Sequence, residues 1–253
     1  VVHSATKYLN GHGDDIAGFV VGSAEFITKV KMFGLKDMTG ATLGPFESWL
    51  ILRGLKSLDI RVERHTASAK KIAEYLYNND KVEHVNYPGL PTHPGHEIAK
   101  RQMKDFGGMV SIELKADRAA TAAALNKLQL CPIAVSLGGA ETLVEHAASM
   151  THSTYTAEEL AASNISEGLV RISVGLEDPE DIIADFKAVL DVLIKNNNID
   201  SKQLHVLKTI RNAFDHNDYP DKDKIGNGIV EITTLPEIAI GIKNLFSEYA
   251  MMK

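Results

Sequence analysis

The stretch Leu169-Val170-Arg171-Ile172-Ser173-Val174-Gly175 leaves little choice of local structure. In a strand, Val170, Ile172 and Val174 share one face while Arg171 and Ser173 point the other way. Asp178-Pro179-Glu180-Asp181 follows at once and reads as a helix start: a cap, a proline pre-set for the first turn, and acids at the positive end. Ile182, Ile183, Phe186, Val189, Leu190, Leu193 and Ile194 then recur at helical spacing. A half-buried strand feeding an amphipathic helix calls for a sheet with helices packed on it, an α/β fold. Val82 to Tyr87 and Met109 to Leu114 alternate as further strands, and the Ala-rich run from Ala116 to Leu128 reads as a helix. Thr156-x-x-Glu159 is a capping box. Pro45 opens a helical pattern through Trp49, Leu52 and Leu55 to Leu76, long enough to connect two domains, with a bend expected near Leu58 to Arg61. Ile16 to Gly22 reads as a buried strand, Glu25 to Phe33 as a helix and Gly34 to Gly40 as a turn-rich loop.

Three places in this framework carry chemistry. The first is Ser4-Ala5-Thr6-Lys7, followed by the Gly11-His12-Gly13 turn. A lysine beside two hydroxyls suits covalent attachment to a phosphate-bearing aldehyde: the amine reaches the carbonyl carbon while hydroxyls and backbone N–H groups hold the phosphate. In an extended segment Ser4 and Thr6 would point the same way. Four residues alone equally describe a solvated lysine in a loop at a strand end. The second place is the small-residue run Ala134-Val135-Ser136-Leu137-Gly138-Gly139-Ala140, which lets backbone approach a ligand closely or simply makes a tight turn. The third is Arg171. An arginine on so apolar a strand needs an anion, either a neighbouring Asp or Glu or the carboxylate of a substrate held in bidentate fashion.

The residues from Val1 through Gly22, with the Ser136 and Arg171 strings in matching order, resemble the pyridoxal-phosphate (PLP) enzymes of cysteine and methionine metabolism, which include the cystathionine synthases and lyases and methionine gamma-lyase. The resemblance implies a fold-type-I, aspartate aminotransferase-like fold and pyridoxal 5'-phosphate as cofactor. It implies that Lys7 carries the cofactor and that Ser4 and Thr6 contact its phosphate. Ser136 and Leu137 would line the amino-acid end of the substrate, and Arg171 would bind its carboxylate. Lys36 and Asp37, in the Gly34–Gly40 loop, and Val135, where cystathionine enzymes usually carry a glutamate, point to the methionine gamma-lyase branch. For that branch the resemblance implies α,γ-elimination of L-methionine to methanethiol, ammonia and 2-oxobutanoate by a homo-oligomer, a tetramer built as a dimer of dimers. The alternatives are a cystathionine-type trans-sulfuration enzyme and a catalytically inactive remnant. The family places about as much chain again before this point, including the aspartate and tyrosines around the cofactor ring. The chain opens within an apolar strand without an initiator methionine, so a C-terminal portion of a larger enzyme is expected. Residues 1–60 would then end the cofactor domain, 61–195 form the smaller C-terminal domain, and 196–253 add a linker and tail that the family lacks. Within that tail, Arg211 and His216 stand at the R-x4-H spacing of small helical ribonucleases, although an amphipathic appendage explains them as well.

Composition sets limits on partners. A formal charge of −6 over 253 residues gives no bulk electrostatic hold on nucleic acid. No apolar run approaches membrane-spanning length. The single cysteine, Cys131, excludes an internal disulfide framework and fits a reducing, cytoplasmic compartment. His93 and His96 have metal-ligand spacing, but a Pro-rich loop around them favours solvated side chains over a metal site.

Overall fold

The computed structural model describes residues 1–195. At its centre lies a four-stranded antiparallel sheet in the order β3-β4-β6-β5. The strands are β3 (Val82–Asn86), β4 (Met109–Leu114), β5 (Leu143–His146) and β6 (Leu169–Ser173). Alternation sorts their side chains. Val110, Ile112, Val144, Val170 and Ile172 are fully buried on one face. There they meet helices α3 (Leu58–Tyr77), α5 (Arg118–Leu125) and α7 (Pro179–Lys195), through Ile72, Leu76, Leu125, Ile182 and Phe186. Each such side chain contributes roughly 1.5–3 kcal/mol when removed from water. The opposite face carries Ser111, Glu145, Arg171 and Ser173, and register sets Arg171 directly across from Ser111 on one side and Glu145 on the other.

The capping signals act as read. Asp178 Oδ1 accepts the Glu180 amide at 2.9 Å ahead of α7. The Thr156 box is formed in full at the start of α6 (Ala157–Ala162). Asp117, not among those signals, accepts the Ala120 amide and starts α5 at Arg118, two residues later than the expected Ala116. On α7, Asp185 accepts the backbone amides of Gln129, Leu130 and Cys131 at 2.8, 3.0 and 2.9 Å, pinning the chain that leads toward β5.

Upstream of the sheet the structure departs from the reading in four respects. The pattern from Pro45 is two helices, α2 (Pro45–Leu55) and α3, with the break at Lys56–Ser57 rather than a bend inside α3. Ile16–Gly22 is not a buried strand. Only Gly18–Val20 (β2) forms a strand, among the described residues it pairs with β1 (Val2–Ser4) alone, and Ile16 is 86% exposed. Gly34 to Gly40 is not a loop: after α1 (Ala24–Lys29) the chain continues as a wide π-type helix over Val30–Thr39, closed by Gly40 in the left-handed region. Ser4 and Thr6 do not share a side of an extended segment, because the chain leaves the strand at Ala5 and winds into a wide turn over Ala5–Leu9. Phe33, Phe46, Trp49 and Leu52 all stand more than half exposed, so the first 55 residues present apolar surface that the described residues leave uncovered. Arg211 and His216 lie outside the described residues, and no described helix is long and apolar enough to cross a membrane.

Candidate active site

Lys7 sits in the wide turn with non-helical torsions (φ −92°, ψ −129°), held between the Ala17 strand-entry segment and the α2–α3 break. Its side chain crosses to the small-residue run, and Nζ donates to Ser136 Oγ at 2.8 Å. A half-buried amine whose hydrogen-bond partner is a neutral hydroxyl, not a carboxylate, is not locked in an ion pair.

Ser136 has φ +87°, in the left-handed region that non-glycine residues rarely occupy. The strain has visible supports on either side. The Ser136 carbonyl accepts Arg171 Nη2 at 2.7 Å, and the amide of Gly138 donates to Ser173 Oγ at 2.8 Å. Gly138 is itself left-handed (φ +76°), and a Cβ there would lie 2.8 Å from the Tyr8 amide nitrogen. The loop is closed further along by Glu177, whose carboxylate accepts the Thr142 amide at 2.6 Å and the Thr142 hydroxyl at 2.8 Å. One strained serine thus joins Lys7, through its hydroxyl, to Arg171, through its carbonyl.

Of the two anions that the strand position of Arg171 left open, the structure supplies a neighbouring acid. Glu145, its cross-strand partner, is 4% exposed and pairs with Nη2. The other carboxylate oxygen of Glu145 accepts Thr151 Oγ1 at 2.6 Å. Arg171 Nε is buried and has no hydrogen-bond partner among the described residues. The pair does not close the residue off: the Arg171 side chain remains 31% exposed.

The other expected residues divide. Val135 is 52% exposed and Leu137 half-buried, both flanking Ser136. The Ser4 hydroxyl is exposed and free of hydrogen bonds among the described residues. The Thr6 hydroxyl is committed to Ala17, accepting its amide at 2.9 Å and donating to its carbonyl at 3.3 Å. Lys36 and Asp37 pair weakly with each other at 3.8 Å in solvent, and no hydrogen bond or ion pair of the described residues ties them to Lys7, Ser136 or Arg171. His93 and His96 are engaged locally, with the Gly95 amide at 3.0 Å and the Pro88 carbonyl at 2.7 Å, and no metal-holding cluster occurs among the described residues.

Three residues near the site were not singled out from sequence. Glu145 is one, visible only as an acid inside an apolar strand. Tyr8 and His65 are the others, packed edge to face with ring centroids 5.5 Å apart. Burial raises the Tyr8 phenol and lowers the His65 imidazole from their ordinary values, which keeps both neutral near pH 7.

Comparison with known proteins bears on this arrangement. The family model for Cys/Met metabolism PLP-dependent enzymes matches residues 1–191. The chain belongs to that family. It is 60% identical over 195 residues to the L-methionine gamma-lyase of Treponema denticola, covering 77% of this chain and 49% of that protein. To the cystathionine beta-lyase of Coxiella burnetii it is 48% identical over 191 residues, covering 75% of this chain and 49% of that protein. A crystal structure of cystathionine gamma synthase from Xanthomonas oryzae pv. oryzae, in complex with aminoacrylate and cysteine, superposes with a TM-score of 0.71 at 45% identity, over 76% of this chain and 49% of that one. The chain therefore has the α/β, fold-type-I architecture of these enzymes and spans about half the length of the curated relatives it matches.

The family is PLP-dependent, and the residues present suit the cofactor in part. An amine held only by a hydroxyl and an unengaged Ser4 hydroxyl fit an aldehyde and a phosphate, whereas Thr6 Oγ1 already has backbone partners.

Proposed function

We propose that this chain supplies the lysine and the carboxylate-binding part of a PLP-dependent carbon–sulfur lyase, and that its substrate is L-methionine. The observation that carries the reading is the continuous link Lys7–Ser136–Arg171: a base and a carboxylate receptor fixed to one strained residue. The higher identity to methionine gamma-lyase than to cystathionine beta-lyase supports methionine as substrate. The alternative is a cystathionine-type reaction, favoured by the superposition on cystathionine gamma synthase.

In this proposal Lys7 and Ser4 hold the cofactor, with Thr6 shaping the turn between them. When bound, PLP draws electron density from the substrate Cα and so acidifies its hydrogen. Arg171 grips the α-carboxylate and sets which Cα bond faces Lys7. Lys7 Nζ takes the Cα proton and serves as the shuttle for later proton transfers, while Ser136 Oγ accepts its hydrogen bond and limits where the amine can go. Leu137 and Val135 border the substrate. Overall, L-methionine and water become methanethiol, ammonia and 2-oxobutanoate. Residues 1–60 are assigned to the cofactor domain, 61–195 to the smaller domain and 196–253 to an appended tail. A homo-oligomer in the cytoplasm completes the proposal.

Borohydride reduction of the chain with pyridoxal phosphate, followed by peptide mapping, tests the assignment. The expected label is on Lys7, and a label confined to other lysines overturns it. Methanethiol release from L-methionine, assayed together with the polypeptide corresponding to the other half of the relatives, tests the reaction.

A further inference from the structure

Arg61 is a buried cation without an acid. It is 5% exposed, and no carboxylate among the described residues lies within ion-pair distance. Removing a guanidinium from water without an anion is costly, so its geometry needs a reason. All three of its nitrogens donate to neutral oxygens. Nη1 reaches the Tyr8 carbonyl at 3.0 Å, Nη2 the Gly54 carbonyl at 2.8 Å and Nε the Ser57 hydroxyl at 3.1 Å.

These acceptors belong to three separate pieces of chain. Tyr8 follows Lys7 near the end of the wide turn, Gly54 lies in the last turn of α2, and Ser57 is the break before α3. The Gly54 carbonyl sits in the last turn of α2, where the helix dipole is negative, which offsets part of the burial cost. A planar fork with donors on three sides can fix three segments to one rigid group, as a lysine cannot.

The packing leaves no slack at this junction. Gly11 is left-handed (φ +75°), and a Cβ there would fall 1.9 Å from Arg61 Nη1. A Cβ on Gly54 would fall 2.2 Å from the Asn10 carbonyl oxygen. The turn that follows Lys7 is therefore seated directly on the guanidinium and on α2.

We infer that Arg61 is a positioning residue for Lys7. By holding the Tyr8 carbonyl it fixes the Tyr8–Leu9 peptide, one residue past Lys7, and so restrains where Nζ arrives, at Ser136 Oγ. The importance of that position rests on the proposed role of Lys7, but the positional coupling itself is testable without cofactor.

The experiment measures acylation of Lys7 by acetic anhydride in the full chain, mapped by peptide mass spectrometry and normalised to exposed Lys29. Wild type is compared with Arg61→Met, Arg61→Lys and Ser57→Ala, each checked for native near- and far-ultraviolet circular dichroism. Arg61→Met is expected to change the normalised rate roughly fivefold, the factor set by a lost hydrogen bond. Arg61→Lys, which retains charge and one donor, should restore part of the wild-type rate. Ser57→Ala, which leaves the Tyr8 contact intact, should stay within about twofold. A folded Arg61→Met protein whose Lys7 reacts as in wild type overturns the inference. If Arg61→Met does not fold, Arg61→Lys decides: a wild-type Lys7 rate there assigns Arg61 to joining α2 and α3 alone. Trapping of pyridoxal phosphate on Lys7 in wild type is read separately, so failure of the cofactor assignment is not mistaken for failure of the coupling.

Discussion

Lys7 Nζ and Ser136 Oγ lie 2.8 Å apart across a chain separation of 129 residues, and Ser136 meets Lys7 from a left-handed backbone. A left-handed non-glycine residue costs roughly 1–2 kcal/mol. Glycine escapes that cost, while alanine keeps it, and both lose the hydroxyl. Ser136→Gly should therefore be more stable than Ser136→Ala by about 1 kcal/mol in urea unfolding. Both should free Lys7 to a similar degree. Equal stabilities for the two variants would show that the backbone at Ser136 relaxes without cost.

Arg171 and Glu145 differ in how they tolerate the loss of each other. Arg171→Ala leaves a glutamate whose side chain is 4% exposed without its cation, whereas Glu145→Ala leaves an arginine whose side chain is 31% exposed and still bound to the Ser136 carbonyl. Removing one member of a buried pair costs about 3 kcal/mol or more, so Arg171→Ala should approach that figure and Glu145→Ala should fall well short of it. In the double variant the buried charge is gone, and its destabilisation should be less than the sum of the two. Chemical denaturation of all four proteins checks the order. In a catalytic assay, Arg171→Ala should raise KM for methionine while leaving cofactor absorbance in place.

The acid side of the stability profile should be set partly by two histidines. His65 and His146 are 0% and 1% exposed, and burial lowers the pKa of each below its ordinary value near 6.5. His146 Nε2 faces the Glu167 carbonyl at 2.7 Å, to which it donates, and Nδ1 lies 2.8 Å from Ser149 Oγ, which can donate to it in the neutral ring. Well above about pH 6.5 these rings are neutral in both folded and unfolded chains and do not affect the pH slope. Below it the unfolded chain binds protons that the folded one refuses, so stability falls toward acid until the folded pKa is passed. The slope should reach at most ~1.4 kcal/mol per pH unit for each histidine. Urea midpoints at pH 7.5 and 5.5 measure it, and His146→Gln should flatten the difference. A profile unchanged by that substitution would place the titration elsewhere.

The sheet was legible because its information is local. Val170, Ile172 and Val174 alternate with Arg171 and Ser173 whatever lies beside them, and Asp178-Pro179 starts a helix by its own chemistry. Register is not local, so the sequence showed that Arg171 needed an anion without showing that Glu145 lies opposite it. The wide turns at Ala5–Leu9 and Val30–Thr39 have no periodic signature, which is why Thr6 was expected beside Ser4 and Gly34–Gly40 was expected to be a loop. Arg61 falls at a position indistinguishable from a solvated helix face until Tyr8, Gly54 and Ser57 close around it.

Substrate choice should turn on Val135. It stands next to Ser136 with 52% of its surface exposed, so a longer side chain there has room to extend without disturbing the core. Methionine ends in an uncharged thioether, and an apolar neighbour serves it. Cystathionine carries a second ammonium at its far end, which valine leaves without an ionic partner. A site rejects a competitor most effectively by leaving such a group unpaired. Val135→Glu supplies the missing anion, and an exposed pair of this kind is worth up to about 1 kcal/mol, or roughly fivefold in relative kcat/KM. The variant should therefore move preference toward cystathionine by about that factor, with Lys7 labelling and thermal stability close to wild type. Competing-substrate assays of the two proteins, each assayed together with the polypeptide corresponding to the other half of the relatives, measure the ratio. If wild type consumes cystathionine faster than methionine, or if the ratio does not move in Val135→Glu, the distal end of the substrate is read by other residues and the methionine assignment fails with it.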